Sequence, residues 1–278
     1  MTAWLDGSLL PLEQARVSVL DHGLVVGDGA FETLRVYRGV PFAWTRHLAR
    51  LRISAGGLGL EVPADETLRT AADAVLEANS LREARLRITV TGGPGPPGSG
   101  KSDAPPTVFL LAFPLEPAAP TIDVVIAPWT RNEHGALAGL KTISYAANVR
   151  ALSYARERGA GEAIFSNTQH NLCEATGSNV FVVRDSTVFT PPASAGCLLG
   201  VTRALLLELS RDLGIAAVER DVELGGLASA DEAFLTSTTR EVQPIAHVDG
   251  VALPVAPGPV SKQLAAAFTE LVGRETDP

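Results

Sequence analysis

Lys141 and Glu174 are the residues on which chemistry could be built. Lys141 stands in Gly139-Leu140-Lys141-Thr142, and Glu174 in Cys173-Glu174-Ala175-Thr176-Gly177-Ser178-Asn179-Val180-Phe181. A lysine amine forms an imine with an aldehyde. A carboxylate beside a basic ring nitrogen keeps that nitrogen protonated, so that the ring can draw in electrons. Taken singly, a lysine and a glutamate are ordinary solvated residues, and the weight falls on what accompanies them. Arg50, in Thr45-Arg46-His47-Leu48-Ala49-Arg50, has the planar fork that grips a phosphate bidentately. Gly200-Val201-Thr202 opens a helix, where free amides and the dipole favour an anion. Ser237-Thr238-Thr239-Arg240-Glu241-Val242 is a hydroxyl-rich turn that can complete a phosphate cup or hold a carboxylate.

These residues need elements to place them. Trp4 to Pro11 reads as a hairpin turning at Asp6-Gly7. Ala30 to Tyr37 alternates as a half-buried strand with Phe31, Thr33, Arg35 and Tyr37 on one face, so a pocket there would meet an arginine and a hydroxyl. A helix begins at Thr45, placed to cap it, and carries Arg50. A second helix covers 64–79, and strands are expected over 85–91 and 106–113. Pro114 to Pro120 is a stiff, proline-rich joint. It divides the chain into a small N-terminal α/β domain (1–115), a linker (116–121) and a large C-terminal domain (122–278). Beyond it, strands are expected over 122–128, 163–166, 179–183 and 232–236, with helices over 144–158 and 202–213. Glu174 falls in the loop between two of these strands.

The loop between the paired strands of the first half contains Gly95-Pro96-Pro97-Gly98-Ser99-Gly100-Lys101-Ser102, which satisfies G-x-x-x-x-G-K-S. That motif binds nucleotide phosphates only where a long helix follows it. Here Asp103-Ala104-Pro105-Pro106 follows, and prolines do not support that helix. A mobile loop is the better reading.

The chain has 278 residues, 46% of them apolar and 19% charged, which suits a globular protein rather than a disordered one. Its net charge of −8, with no basic cluster, argues against nucleic acid or an anionic membrane as partner. Cys173 and Cys197 lack metal or redox spacing, so no metal is expected and a reducing cytoplasm is the natural setting. No basic, apolar leader and no membrane-length apolar run is present.

Taken together, Gly27-Asp28-Gly29-Ala30-Phe31-Glu32, His47-Leu48-Ala49-Arg50-Leu51, Lys141-Thr142 with Asn148-Val149, the run 173–181, Gly200-Val201-Thr202-Arg203 and the run 237–242 resemble one family over nearly the whole chain. It is the class IV, or fold-type IV, aminotransferase superfamily of pyridoxal-phosphate enzymes, which also includes 4-amino-4-deoxychorismate lyase. The resemblance implies two α/β domains with pyridoxal 5'-phosphate at their interface, in a homodimer that acts on a small-molecule amino donor and a keto acid. It makes Lys141 the Schiff-base lysine and proton shuttle, and Glu174 the partner of the pyridine nitrogen. Arg50, Val201, Thr202 and Thr238 would hold the phosphate, and Tyr145 the ring hydroxyl. Phe31, Thr33, Arg35, Thr239 and Arg240 would face the substrate. D-alanine-type members carry a tyrosine at the position of Phe31, and an arginine and a histidine in the loop after Val90-Thr91. Gly92-Gly93-Pro94-Gly95-Pro96-Pro97-Gly98 has neither, and Arg35, Arg131 or Arg240 could stand in. The expectation is a transaminase for D-amino acids or (R)-amines. The lyase, which the Phe31-Glu32-Thr33 run favours, is the alternative, and a branched-chain L-amino-acid aminotransferase comes third.

Overall fold

Strands β1 (Thr2–Leu5) and β2 (Ser8–Pro11) form the hairpin expected at Asp6-Gly7. Both turn residues have positive φ, 44° and 93°, as a tight two-residue hairpin turn requires. The computed structural model describes residues 1–101 and 103–278. Ser102, the last residue of the phosphate-loop lookalike, lies outside the described residues.

The chain falls into two units. The first comprises Met1–Glu116, Leu140–Ser144 and Glu275–Pro278, and the second Pro117–Gly139 and Tyr145–Arg274. Residue 116 lies at the proline-rich joint, but the expected contiguous domains need correction, because two later segments return to the first unit. Backbone hydrogen bonds explain the first of these: Phe31 N–H donates to Lys141 O (3.1 Å) and Ile143 N–H to Gly29 O (2.9 Å). The 275–278 segment is tied by Ala43 N–H to Thr276 O (2.8 Å) and by Thr45 to the Asp277 carboxylate. Thr45 is not the cap that its sequence position suggests: it lies inside the helix Trp44–Gly57, whose N-cap is Ala43, and its hydroxyl donates to Asp277 at 2.6 Å.

In the first unit a short helix α1 (His22–Val25) precedes β3 (Gly29–Tyr37) and β4 (Val40–Pro41). Helices α2 (Trp44–Gly57) and α3 (Asp65–Ala78) follow, then β5 (Ala84–Thr91) and β6 (Val108–Pro114). The six strands form one sheet in the order β2-β1-β6-β5-β3-β4. Strand alternation puts Ala30, Leu34 and Val36 of β3 and Leu86, Ile88 and Val90 of β5 into one apolar core, against Leu48 and Leu51 of α2 and Leu68 and Val75 of α3. Glu32 shares that inward face, fully buried.

The second unit begins with β7 (Ile122–Arg131), α4 (Ala146–Arg156), β8 (Glu162–Asn167) and β9 (Leu172–Ala175). It continues through β10 (Asn179–Arg184), β11 (Thr187–Thr190), α5 (Val201–Asp212) and β12 (Ala217–Glu219). Strands β13 (Glu232–Ser237), β14 (Glu241–Val248) and β15 (Val251–Ala252) and helix α6 (Pro259–Arg274) complete it. The sheet runs β12-β11-β10-β13-β14-β7-β8-β9, with β15 added beside β14. Glu174 was expected in a loop, but it sits on β9 opposite Phe165 of β8. The N-terminus of α6 is held by the buried Glu232, whose carboxylate accepts from Val260 N–H (2.9 Å), Ser261 N–H (3.0 Å) and the Ser261 hydroxyl (2.7 Å). This carboxylate satisfies amides that the helix cannot satisfy itself.

Candidate active site

In the first unit, Lys141 is fixed by its backbone. Its N–H donates to Ser54 Oγ of α2 (3.0 Å) and its C=O accepts from Phe31. Its Nζ lies 4.4 Å from the centroid of the Phe31 ring. The same ring carries the Arg87 guanidinium, whose Cζ is 3.7 Å from the centroid, and Arg87 Nε donates to Thr89 Oγ1 (3.1 Å). Register explains the grouping: Phe31 pairs with Thr89 and Thr33 with Arg87, so these four side chains share one face of the β3–β5 ladder. Arg35 lies further along β3, its guanidinium 4.9 Å from the Tyr37 ring centroid. Arg87 went unread in the sequence. The signal was there, in the polar alternate positions of Arg85-Leu86-Arg87-Ile88.

Arg50 does not stand alone on α2. Its Nε and Nη2 donate to the two oxygens of Glu32 at 2.7 and 2.8 Å, and His47 Nδ1 lies 2.7 Å from the same carboxylate. Burial pushes the Glu32 pKa up, but Arg50 and His47 outweigh it and hold the carboxyl well below the usual carboxylate range. Burial also lowers His47, against the pull of Glu32 and with Arg50 and Lys141 adding to the lowering. The imidazole is therefore neutral at pH 7.

In the second unit, Glu174 Oε2 accepts Leu198 N–H (2.9 Å) and Oε1 lies 3.3 Å from Arg131 Nε. Arg131 stacks on Phe165 at 4.6 Å, so its guanidinium is engaged with that ring and with Glu174. The turn after β9 is held from both sides. Asn148 Nδ2 donates to Thr176 O (2.5 Å), and the Thr176 amide and hydroxyl donate to the buried Glu162 of β8. Tyr145 stands at the N-cap of α4, and its C=O accepts from Val149 N–H at 2.9 Å. Val201 and Thr202 are the buried first residues of α5, and the cap residue, Gly200, supplies no side chain to the free amides. A Cβ at Gly200 would fall 2.1 Å from Asn179 Oδ1, while Asn179 Nδ2 donates to Leu198 O (2.7 Å). Any side chain at that position would have to push the Asn179 amide aside. Thr238 and Thr239 follow β13 in the turn to β14, both half-buried. Arg240 in the same turn is committed elsewhere: it donates to Gln243 Oε1 (2.6 Å) and to Glu162 Oε2 (3.1 Å).

These second-unit residues fit a phosphorylated ring cofactor. Among the described residues Ser178 Oγ, next to Asn179 in sequence, and Thr236 Oγ1, opposite Asn179 in the ladder, are buried without a hydrogen-bond partner. Orphaned hydroxyls and the free amides of an uncapped helix N-terminus both suit phosphate oxygens. Neither hydroxyl was singled out in the sequence.

The family description amino-transferase class IV matches residues 29–248. The chain belongs to the class IV aminotransferases. Among its curated relatives, a putative branched-chain-amino-acid aminotransferase of Methanocaldococcus jannaschii is 35% identical over 90% of this chain and 88% of the relative. A D-alanine aminotransferase of Bacillus licheniformis is 31% identical over 99% of both chains. A crystal structure of the branched-chain aminotransferase from the archaeon Thermoproteus uzoniensis, with norvaline, superposes with a TM-score of 0.93 at 31% identity, covering 99% of this chain and 96% of that one. A further branched-chain amino acid aminotransferase of the same fold was solved with pyridoxamine 5'-phosphate. This aminotransferase is an enzyme of mixed α/β architecture, as its sequence motifs imply.

Proposed function

We propose that this aminotransferase moves an amino group between a D-amino acid or (R)-amine and a 2-oxo acid, with Lys141 as its catalytic residue. The observation that carries the reading is the Phe31 ring, which holds the Lys141 amine at 4.4 Å and the Arg87 guanidinium at 3.7 Å. A proton-shuttling amine and a carboxylate-binding cation thus share one side chain, as a reaction of carboxylate-bearing substrates needs. Pyridoxal phosphate, the class IV cofactor, supplies an electron sink that stabilises negative charge at the substrate Cα.

In this reading Lys141 Nζ would hold the cofactor through its aldehyde and, once displaced by the donor amine, would move the Cα proton. Glu174 keeps the ring nitrogen protonated, and the Leu198 amide fixes the direction of its carboxylate. Within the second unit the Val201 and Thr202 amides and the Thr238 hydroxyl would take the phosphate, joined by Ser178 and Thr236, and Arg50 carries the phosphate role that the class IV motifs imply. Tyr145 takes the ring hydroxyl. Phe31, Thr33, Arg35 and Thr239 line the substrate side, with Arg87 in place of the committed Arg240 as the carboxylate partner.

The D-series is supported by the end-to-end match to the Bacillus licheniformis D-alanine aminotransferase, 99% of both chains. The Methanocaldococcus jannaschii relative favours aliphatic L-amino acids as a second reading. The run Val19, Leu20, Leu24 and Val26, each at least 45% exposed, supports assembly into a homodimer. Two free buried thiols suit a cytoplasmic protein.

A half-reaction tests the reading. Holoenzyme is mixed, without oxo acid, with D-alanine, (R)-1-phenylethylamine, L-leucine or aminodeoxychorismate, and the cofactor is then released and separated. Pyridoxamine phosphate formed from D-alanine or the (R)-amine supports the D-series, and formation from L-leucine alone moves the assignment to the second reading. Pyruvate and p-aminobenzoate from aminodeoxychorismate, with no amine form from any donor, would make the enzyme a lyase.

A further inference from the structure

We infer that Glu32 is a positioning residue for the cofactor phosphate, acting through Arg50. The inference rests on the reading of Arg50 as a phosphate ligand. Three observations carry it. Glu32 stands on the core face of β3, where its neighbours in the alternation, Ala30 and Leu34, are apolar, and its side chain has no exposure. A carboxylate costs too much to bury at such a position unless it is fully paired. It is paired by a fork: Arg50 Nε at 2.7 Å on one oxygen and Nη2 at 2.8 Å on the other. His47, one helical turn before Arg50, holds the second oxygen at 2.7 Å, so the carboxylate plane is set from two directions.

The consequence for Arg50 follows from guanidinium geometry. A guanidinium has five N–H groups in one plane. Glu32 engages two of them along one edge, and this fixes the plane and direction of the remaining three. An unbraced arginine side chain would have to give up rotamer freedom when it takes hold of an anion, and here that ordering is done in the folded protein beforehand. Glu32 also offsets one positive charge. The phosphate therefore meets a directed donor edge rather than an excess of cations around Lys141. His47 extends the arrangement, because its neutral imidazole braces the carboxylate without adding a charge.

The test compares pyridoxal 5'-phosphate with pyridoxal, which lacks the phosphate, binding to apo protein of wild type, Glu32→Gln, Glu32→Asp and Arg50→Met. Affinity is read by absorbance titration, and folding by circular dichroism. Arg50→Met should weaken pyridoxal phosphate by about 100-fold and pyridoxal by little, the size expected for losing a charge-assisted bidentate contact. Glu32→Gln should reproduce about 10-fold or more of that loss, again selective for the phosphorylated form, and should add little when combined with Arg50→Met. Glu32→Asp keeps the charge but shortens its reach by one methylene. It should fall between wild type and Glu32→Gln, and it carries the test if Glu32→Gln does not fold. Selectivity for pyridoxal phosphate unchanged in a folded Glu32 variant overturns the inference, as does an equal loss for both ligands. If Arg50→Met itself leaves the selectivity unchanged, the fault lies with the phosphate role of Arg50 instead.

Discussion

Arg240→Met separates a structural arginine from a substrate arginine. The Arg240 side chain is 24% exposed and that of Glu162 2%, with 3.1 Å between their charged atoms, and Arg240 also donates to Gln243 at 2.6 Å. Removing one partner of a buried ion pair costs about 3–5 kcal/mol. The residual exposure of Arg240 lowers this, and so do the bonds that Glu162 keeps with Thr176, leaving about 2–3 kcal/mol. For a chain of this size each kcal/mol moves the midpoint by about 2–4 °C, so Tm should fall by roughly 4–12 °C. Thermal and urea unfolding of holoenzyme would measure it. Glu162→Gln should cost at least as much, since it also weakens the hold on Thr176. The double variant should cost at least about 1 kcal/mol less than the sum, because no charge is then left without its partner. The KM for the 2-oxo acid should stay within about threefold of wild type, as expected when no substrate contact is removed. An unchanged Tm with a KM raised more than about tenfold would refute the assignment and return Arg240 to the substrate.

Other outcomes follow from the same packing. Burial, then the nearby Glu174 charge, pushes the Cys197 thiol up to about 12 and raises Cys173 well above its ordinary range. Neither thiol should react with a disulfide reagent in native protein at pH 8, and both should react on unfolding; rapid native labelling of either would contradict this. The unfolded chain releases those protons above about pH 8.5 while the folded chain holds them, so stability should fall as pH rises beyond that point. At His47 the sign is opposite: the folded pKa lies below the ordinary 6.5, so its contribution is present above that pH and is lost in acid. His47→Gln should flatten the fall in stability below pH 6.5, and an unchanged slope would exclude His47 as its source. Lys101 donates to both oxygens of Asp28, at 2.9 and 2.7 Å. Lys101→Ala should leave cofactor affinity unchanged, and enzyme that requires a nucleoside triphosphate would reverse that reading.

Regular periodicity made much of the fold legible. The Asp6-Gly7 hairpin, strand β3 and the apolar faces of α3 and α5 all follow from local residue order. The strand bearing Glu174 did not, because four residues framed by turns show too little alternation to be told from a loop. The 140–144 segment was equally hidden, since its membership of the first unit depends on bonds to Gly29, Phe31 and Ser54 far earlier in the chain. Lys141, Glu174 and Thr202 could be singled out because their motifs are local. Glu32 and Glu162 were not, although a charged residue on the inward face of an alternating strand is a readable anomaly. What they hold, Arg50 on one side and Thr176 with Arg240 on the other, is set only by tertiary structure.

The route of the chain bears on how it is made. During synthesis residues 1–116 emerge together, but the unit they begin also needs Leu140–Ser144 and Glu275–Pro278. Until then the edge of β3 at Ala30 lacks its bridge to Thr142, and the start of α2 lacks the Thr276 and Asp277 contacts. The second unit, made from 117–139 and 145–274, has all its residues sooner. Protein truncated after Arg274 should keep a resistant second unit and become protease-sensitive at the start of α2, where the Thr276 and Asp277 contacts are missing. The half that leaves the ribosome first is the half that is finished last.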